Sequence, residues 1–285
     1  MWGSEVVSDR PGPQPRNGGR RALAVWGSEV VSDRPVSESL RLLVPHDAGE
    51  LSALGADLVQ DCLARSAAPL LGLATGGSVA GLYGELIRRH RQDGLSFAGV
   101  RAFLLDEYLG LPADHPKAYR NVIRRLLADH VNLAPGAVTG PDAAAADLGA
   151  ECARYDGQLA TGVDLQILGI GRNGHIAFNE PGSSLTGTTR VVTISEQTRR
   201  DNARFFGHPD QVPRRAITQG IGTILRAAQL LLIATGESKA AALHAALEGP
   251  VSPAVPASAL RLHPAVTVIA DQAAASELPG CRHSR

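Results

Sequence analysis

The feature of this sequence that most constrains its fold is the regular alternation of short apolar segments with amphipathic helical segments. Six segments rich in Leu, Ile, Val and Ala have the length and composition of buried strands, namely 40–44, 68–74, 99–105, 163–171, 228–235 and 265–271. Helical periodicity marks five others, 48–66, 79–92, 117–130, 143–161 and 239–249. This alternation predicts an α/β fold, a mostly parallel sheet with helices on both faces. TRVVTIS at 189–195 is a weaker strand candidate.

Four polar clusters directly follow predicted strands. They are TGGS at 75–78, DEY at 106–108, GRNGH at 171–175 and TGESK at 235–239. In open sheets of parallel strands, ligands bind beyond the carboxyl ends of the strands. The sequence therefore predicts one ligand site assembled from these clusters.

The composition excludes several classes of protein. The 285 residues include 28 basic and 28 acidic ones, so the zero formal net charge gives no bulk attraction to nucleic acid or anionic membranes. No apolar run approaches the roughly 20 residues of a membrane span, and the N-terminus lacks the apolar stretch of a signal peptide. Three widely spaced cysteines, Cys62, Cys152 and Cys281, form no C-x-x-C pair. We therefore predict a cytoplasmic protein, because this cysteine pattern suits a reducing compartment.

The N-terminal segment has a different character. WGSEVVSDRP occurs at 2–11 and again, identically, at 26–35, which is too short for a structural repeat unit. The intervening residues are basic and rich in turn-forming types. The sequence predicts a disordered extension over residues 1–36, one domain over 37–275 and a short tail over 276–285.

The clusters TGGS and TGESK each join a strand to a helix, which is typical of anion-binding turns. Amides at a helix N-terminus bind anions, and glycines let the ligand approach the backbone. For the first turn, a tight glycine turn with Ser78 as the helix N-cap is an equally good interpretation. In the second turn, Lys239 is one of only two lysines among 28 basic residues. It stands at the helix end where the macrodipole disfavours a cation, which favours a phosphate ligand over an ordinary exposed lysine.

Asp106 and Glu107 stand directly after the predicted strand 99–105. Burial and neighbouring charges at the rim of a sheet can tune such a carboxylate as a base. The alternative is an acidic cap for the turn that follows. Because two acids and Tyr108 gather at one strand end, the catalytic interpretation is favoured.

The segment GIGRNGHIAFNEPGSS at 169–184 contains G-x-G-x-x-G, formally a dinucleotide-binding fingerprint. Such a fingerprint should lead into a helix of several turns, but Pro181-Gly182 breaks any helix within about two turns. His175, with Glu180 five residues later, is better interpreted as a proton-transfer pair. A carboxylate orients an imidazole and raises its pKa, which suits proton transfer near neutrality. The alternative is a structural histidine.

Together these motifs resemble those of the glucosamine-6-phosphate deaminase family, which belongs with the 6-phosphogluconolactonases in one sugar-phosphate superfamily. The resemblance runs from about residue 40 to 272 and rests on LGLATGGS, LLDEYLGLPADHPKAYR, GIGRNGHIAFNEPGSSL, NARFFG, ITQGIGTIL, TGESKAAALHAALEG and SALRLHPAVTVIAD. Lactonases resemble the chain at the TGG turn and at G-x-G-x-x-G-H, but ordinarily continue toward H-T-A-S-L-F-P. The continuation HIAFNEP favours the deaminase branch.

The resemblance implies a single-domain, modified Rossmann-like fold. It also implies conversion of D-glucosamine 6-phosphate and water to D-fructose 6-phosphate and ammonia, with no metal or organic cofactor. His175 would assist opening of the sugar ring, Asp106 would move a proton from C2 to C1, and Asn173 and Glu180 would flank and tune His175. Substrate and phosphate contacts are implied for eight residues: Thr75, Gly76, Gly77, Ser78, Glu107, Gly171, Arg204 and Lys239.

Two departures from the family pattern affect these expectations. Asn173 stands where some members have Asp, so the pKa of His175 should be raised less. Arg190-Val191-Val192 lacks the lysine of the Arg-x-Lys pair with which regulated members bind N-acetylglucosamine 6-phosphate at a subunit interface. We therefore expect a monomer or small homo-oligomer without allosteric activation. A 6-phosphogluconolactonase-type hydrolase and a non-catalytic sugar-phosphate sensor stand as alternatives, as does a preference for galactosamine 6-phosphate.

Overall fold

A largely parallel β-sheet lies at the centre of the structure, a computed structural model that describes residues 39–281 and the backbone of 32–37. Its eight strands lie in the order β1 (Ser32–Ser37), β2 (Leu40–Val44), β11 (Val266–Ala270), β10 (Leu230–Ala234), β7 (Leu165–Gly169), β3 (Leu70–Leu73), β4 (Arg101–Leu104) and β6 (Val138–Thr139). Strands β2 to β6 in this order are all parallel to their neighbours, whereas β1 pairs antiparallel with β2. The predicted parallel sheet is confirmed.

A second, three-stranded antiparallel sheet stands beside it, in the order β5 (Asp106–Tyr108), β9 (Arg215–Thr218) and β8 (Arg190–Thr193). Only Leu105 separates β4 from β5, so the chain leaves the parallel sheet just before Asp106. We predicted Asp106 to follow a strand rather than to begin one, and β9 was not predicted. Both short strands lack the apolar runs on which the prediction depended.

Seven helices accompany the sheets in the described part of the chain: α1 (Ala48–Arg65), α2 (Gly77–Asp93), α3 (Tyr119–Leu126), α4 (Leu148–Gln158), α5 (Glu196–Phe206), α6 (Ile221–Ile224) and α7 (Ala240–Leu247). The five predicted helices are confirmed; four are shorter than predicted, whereas α2 extends beyond its predicted bounds at both ends. For example, α4 begins after Asp147, whose side chain accepts a hydrogen bond from the amide of Ala150. Helix α5 was not predicted, because its sequence EQTRRDNARFF is polar around nearly its whole circumference.

The core lies on both sides of the parallel sheet. All five residues of β10 and the first four of β7 are buried. Successive side chains of a strand point to opposite faces, so both faces of these strands are covered. No helix within the described residues has the length and apolarity needed to span a lipid bilayer.

Ordered structure extends beyond both predicted bounds of the domain, residues 37 and 275. Residues 32–36, which we assigned to the extension, belong to β1, and 32–35 of these pair with β2. At the other end, Leu278 of the predicted tail is fully buried in the main core. Residues 1–31, which hold most of the predicted extension, and residues 282–285 lie outside the described part of the chain.

The strand order positions the candidate site. The chain passes from β3 to its neighbour β4 on one side, whereas from β7 it proceeds, by way of the second sheet, to its neighbour β10 on the other side. The connections after adjacent strands β3 and β7 therefore lead in opposite directions, and in open α/β sheets this is where a ligand crevice forms at the carboxyl ends of the strands. TGGS follows β3, GRNGH follows β7 and TGESK follows β10, so three of the four polar clusters border this crevice.

Candidate active site

The turn after β3 presents a helix N-terminus to the crevice. Gly76 is the N-cap of α2 with a φ of 128°, so no N-cap side chain occupies the amides of the first turn. A Cβ at Gly76 or Gly77 would meet no atom within 4 Å, so space is available for a ligand. Ser78, the alternative N-cap of the sequence prediction, instead pairs through Oγ with Oγ1 of Thr235 at 2.7 Å. This contact ties the two glycine turns together.

The turn after β10 holds Lys239 near the same crevice. Lys239 is half-buried and ends the short 3-10 turn that precedes α7. Burial lowers the pKa of Lys239, and the nearby guanidinium of Arg204 lowers it further. Both oxygens of the Asp271 carboxylate accept from the amide of Gly236, at 3.0 and 2.8 Å. A bound anion would therefore stabilise the charged form of Lys239.

Asp106 is a buried carboxylate with the properties of a proton acceptor. Only 7% of the residue is exposed, and burial together with the adjacent Glu107 raises its pKa well above the usual range. Within residues 39–281, no hydrogen bond to its carboxylate stabilises the charged form. A desolvated carboxylate of this kind is a stronger base than an exposed one.

Glu107 caps the helix that follows it, and its predicted contact with substrate stays a prediction. Its Oε1 accepts from the amides of Tyr108 and Tyr119, and its Oε2 accepts from the amide of Arg120. These bonds place the carboxylate at the N-terminus of α3, where the helix dipole favours a negative charge. The acidic cap that we weighed as the alternative interpretation is therefore what the structure contains at Glu107.

Asn173 joins His175 to Glu180. Its Nδ2 donates to Oε2 of Glu180, and its Oδ1 lies 2.7 Å from Nδ1 of His175. A carboxylate only accepts hydrogen bonds, so the amide nitrogen faces Glu180 and the amide oxygen faces the histidine. Nδ1 of His175 must then carry the ring proton. Since the ring contacts within the described residues all involve Nδ1, the unprotonated Nε2 is left for a substrate.

The electrostatic balance at His175 differs from the sequence prediction. We expected the neighbouring carboxylate to raise the pKa of the imidazole. Burial instead lowers the pKa, and Glu180, 3.8 Å from Nδ1, only partly offsets this effect. Burial also opposes ionisation of Glu180, but hydrogen bonds from Thr198, Asn173 and Ser195 help to keep its pKa low. His175 is thus neutral near pH 7 and can act as a base.

Gly171 provides the space that the imidazole occupies. A Cβ on Gly171 would lie 2.2–2.4 Å from Cε1, Nδ1 and Nε2 of His175, far closer than atoms can pack. The amide of Gly171 also donates to the carbonyl of His175 at 2.9 Å, which closes the loop. The fingerprint glycine therefore serves the packing of a histidine ring.

Strand β9 of the second sheet contacts both the strand that begins with Asp106 and the loop that follows His175. Thr218 is the cross-strand partner of Asp106, and its Oγ1 accepts from the amide of Phe178 in the loop after His175. Asn179 in the same loop donates to the carbonyl of Gln219. Asp106 and His175 are 69 positions apart in the sequence. The segments that carry them are nevertheless bonded to two adjacent residues, Thr218 at the end of β9 and Gln219 after it.

Helix α5 completes the site with residues that the sequence analysis did not identify. Ser195, its N-cap, donates to Glu180 at 3.0 Å, and Asn202 donates to the hydroxyl of Tyr108 at 2.9 Å. The same helix carries Arg204, the predicted phosphate ligand. A serine directly before Glu196 is an N-cap signal, and it was the sign in the sequence that a helix begins there.

Known proteins are similar to this chain in both sequence and architecture. The family model for glucosamine-6-phosphate isomerases/6-phosphogluconolactonase matches residues 48–269. The chain belongs to this family. This agrees with the resemblance that the motifs indicated over residues 40–272.

Relatives within the family are similar over most of their length. The glucosamine-6-phosphate deaminase of Beutenbergia cavernae is 53% identical over 242 residues, which cover 84% of this chain and 93% of the relative. That of Mycolicibacterium smegmatis is 52% identical with the same coverage. Among solved structures, a monomeric glucosamine-6-phosphate deaminase, a missing link of the NagB superfamily, is 44% identical with a TM-score of 0.81. The match covers 84% of this chain and 99% of that one.

Lactonases of the family share the fold alone. The 6-phosphogluconolactonase of Trypanosoma brucei is 22% identical with a TM-score of 0.66, over 87% of this chain and all of that chain. The likeness to this lactonase is a likeness of fold.

Replacement of Asn173 by Asp should raise the pKa of His175, because a second carboxylate beside Nδ1 stabilises the imidazolium. With the neutral ring acting as the base, as we predict, the acid limb of kcat/KM should then move to higher pH. Histidine-ring NMR titration measures the pKa directly. The matched control is Asn132→Asp, an exposed loop asparagine, which should leave the titration of His175 unchanged. An unchanged pKa in Asn173→Asp would contradict the assigned contact.

Proposed function

We propose that this protein is a glucosamine-6-phosphate deaminase, which converts D-glucosamine 6-phosphate and water to D-fructose 6-phosphate and ammonia. One observation supports the proposal: the strand that begins with the buried Asp106 and the loop that carries the Nδ1-protonated His175 both contact Thr218 of β9. A base for carbon and a base for oxygen are the two groups that an aldose–ketose isomerisation requires. The relatives of about 50% identity bear the name of this activity.

The phosphate group is bound first in this proposal. The amides at the N-terminus of α2 and the side chains of Arg204 and Lys239 supply the positive potential. Helix N-terminal amides, guanidinium and ammonium groups all bind phosphate oxygens. The glycine turn at 76–77 lets the oxygens approach the backbone, because no atom fills the space beside it.

His175 then opens the sugar ring. Its Nε2 takes the proton of the anomeric hydroxyl and delivers a proton to the ring oxygen, which produces the open-chain aldehyde. Asn173 holds Nδ1 in the protonated form during this exchange, and the charge of Glu180 stabilises the imidazolium that forms transiently.

Asp106 carries out the isomerisation. Its carboxylate removes the proton from C2, the electrons move to the C1 carbonyl, and the carbonyl oxygen takes a proton from the substrate's own ammonium group to give a neutral enolamine. The same proton is returned to C1, which leaves an iminium group at C2. Water adds to C2 and ammonia departs, leaving the ketone of fructose 6-phosphate. The substrate's own carbonyl accepts the electrons, so this route uses no cofactor.

The oligomeric state and location belong to the same proposal. We infer a monomer or small homo-oligomer that acts in the cytoplasm on a small-molecule substrate. The solved relative of 44% identity is described as monomeric, which supports the smaller assemblies.

The test is a direct assay of product formation with purified protein in the presence of a chelator. We expect equimolar ammonia and fructose 6-phosphate from glucosamine 6-phosphate. Parallel reactions contain galactosamine 6-phosphate and 6-phosphogluconolactone. Turnover of the lactone alone would overturn the proposal in favour of a lactonase, and binding of the amino-sugar phosphate without product would indicate a sensor. Addition of N-acetylglucosamine 6-phosphate should leave the rate unchanged, since Val192 replaces the lysine of regulated members.

A further inference from the structure

Arg172 is a cation at the crevice that the proposed mechanism does not use. It lies between Gly171, which packs against His175, and Asn173, which holds the ring. Its side chain is 56% exposed, and its Nη1 lies 3.6 Å from Oδ1 of Asp201 on α5. The guanidinium therefore points from the loop after β7 toward the helix that carries Arg204.

The fold places Arg172 beside both predicted phosphate cations. Strands β7 and β10 are neighbours, with Gly169 paired to Ile233, so the turns that follow them are adjacent. The second of these turns carries Lys239. On α5, Asp201 and Arg204 are three positions apart and share one face of the helix. After burial and Arg204, the charge of Arg172 also lowers the pKa of Lys239, whereas Asp201 raises it.

The charges of this group match those of a phosphate monoester. Three cations, Arg172, Arg204 and Lys239, and one carboxylate, Asp201, have a net charge of +2. Above its second pKa of about 6, a phosphate monoester approaches a charge of −2. The planar guanidinium can donate two parallel hydrogen bonds to phosphate oxygens.

The contact between Arg172 and Asp201 is easily exchanged. It is a long ion pair at the surface, and such pairs contribute little to stability. Oδ1 of Asp201 also accepts from Nε2 of Gln197 at 3.0 Å, so the carboxylate keeps a partner when the guanidinium turns away. Arg172 can therefore leave Asp201 for a ligand at small cost.

We propose that Arg172 is a third cationic ligand of the substrate phosphate, and that Asp201 holds it at the crevice until the phosphate binds. This inference rests on the proposed function, because it assumes that the crevice binds a sugar phosphate. Asp201 would thereby limit the affinity: its negative charge repels the dianion that its own arginine attracts. A purely structural alternative is that the ion pair fixes α5 to the loop after β7.

Two substitutions distinguish these roles by the direction of their effects. Arg172→Met should weaken the binding of inorganic phosphate about tenfold, the loss that one charge-assisted hydrogen bond commonly produces. It should raise KM for the sugar phosphate similarly and leave kcat within about twofold. Asp201→Asn should strengthen phosphate binding, by roughly twofold to fivefold, because the group then has a larger net positive charge. If the pair only fixed α5, both substitutions would weaken binding.

The experiment is isothermal titration of each variant with inorganic phosphate, together with steady-state kinetics. Arg200→Met is the matched control: Arg200 is exposed on α5 and pairs with Glu196, so its loss should change neither binding nor KM. Unchanged binding in Arg172→Met, or weakened binding in Asp201→Asn, would overturn the inference. Lys239→Met separates this failure from that of the proposed function. If phosphate binding survives that substitution unchanged as well, the crevice is not a phosphate site at all.

Discussion

Replacing Asp106 with asparagine is expected to lower kcat by about 10²–10⁴-fold, the range that removal of a positioned general base produces. Asparagine has nearly the same shape but cannot accept the proton from C2. Binding of inorganic phosphate should persist, because Asp106 does not belong to the phosphate-binding turns. Single-turnover ammonia release measures the loss, and phosphate titration verifies that the site is intact. A variant with wild-type turnover would exclude Asp106 as the base.

The same substitution should stabilise the protein at neutral pH. The pKa of Asp106 is raised in the folded state, so folding favours the protonated carboxyl. The resulting stability is fully present below the ordinary pKa of about 3.9 and is lost as pH rises through the raised value. The asparagine side chain carries no charge to desolvate, so the Asp106→Asn variant avoids this loss. We expect its Tm to exceed that of the wild type by roughly 2–4 °C near pH 7, with the difference shrinking toward pH 4.

Thermal unfolding monitored by circular dichroism between pH 4 and pH 8 tests this expectation. Asp129→Asn is the control, because Asp129 has a half-exposed side chain that pairs only loosely with Arg124. Its Tm should follow that of the wild type at every pH. If the Tm difference between Asp106→Asn and the wild type did not change with pH, ionisation of Asp106 would not be what destabilises the folded protein.

The second large effect is expected for Gly171→Ala, which should lower kcat about 10²-fold, the penalty for displacing a catalytic group by about 1 Å. The added methyl group would lie 2.2–2.4 Å from three ring atoms of His175, so the imidazole must move. Histidine NMR and kinetics measure the displacement and its effect. Gly84→Ala is the control, because a Cβ at Gly84 in α2 meets nothing within 4 Å. Wild-type kcat in Gly171→Ala would mean that the ring position is not critical.

The sequence predicted the parallel sheet well because most of its strands are short runs of apolar residues, which can be recognised locally. Runs such as 228–235 and 265–271 are predominantly apolar, and polar residues mark where they end. Of the second sheet, only β8 was predicted, as the weaker candidate at 189–195, and the other two strands were missed for the opposite reason. DEY and RAIT are too short and too polar to be distinguished from loops, and they become strands only by pairing with each other.

Electrostatic predictions failed where they depended on depth of burial. The sequence places His175 near Glu180 and so predicted a raised pKa, but the degree of burial that reverses the sign comes only from packing. Glu107 illustrates the same limit. Its position beside Asp106 indicates shared chemistry, whereas its carboxylate is occupied by amides of α3, twelve and thirteen residues later in the chain.

The sequence by itself determined the fold class, the glycine turns and the family, because HIAFNEPGSS and DEYLGL are local strings whose meaning does not depend on distant partners. The tertiary structure alone decided what each polar group does. It gave Asn173 a bridging position, gave Gly171 a ring to accommodate and brought Arg172 to Asp201. The physical reason is that protonation, tautomer and charge balance depend on neighbours within a few ångströms, and those neighbours come from segments far apart in the chain.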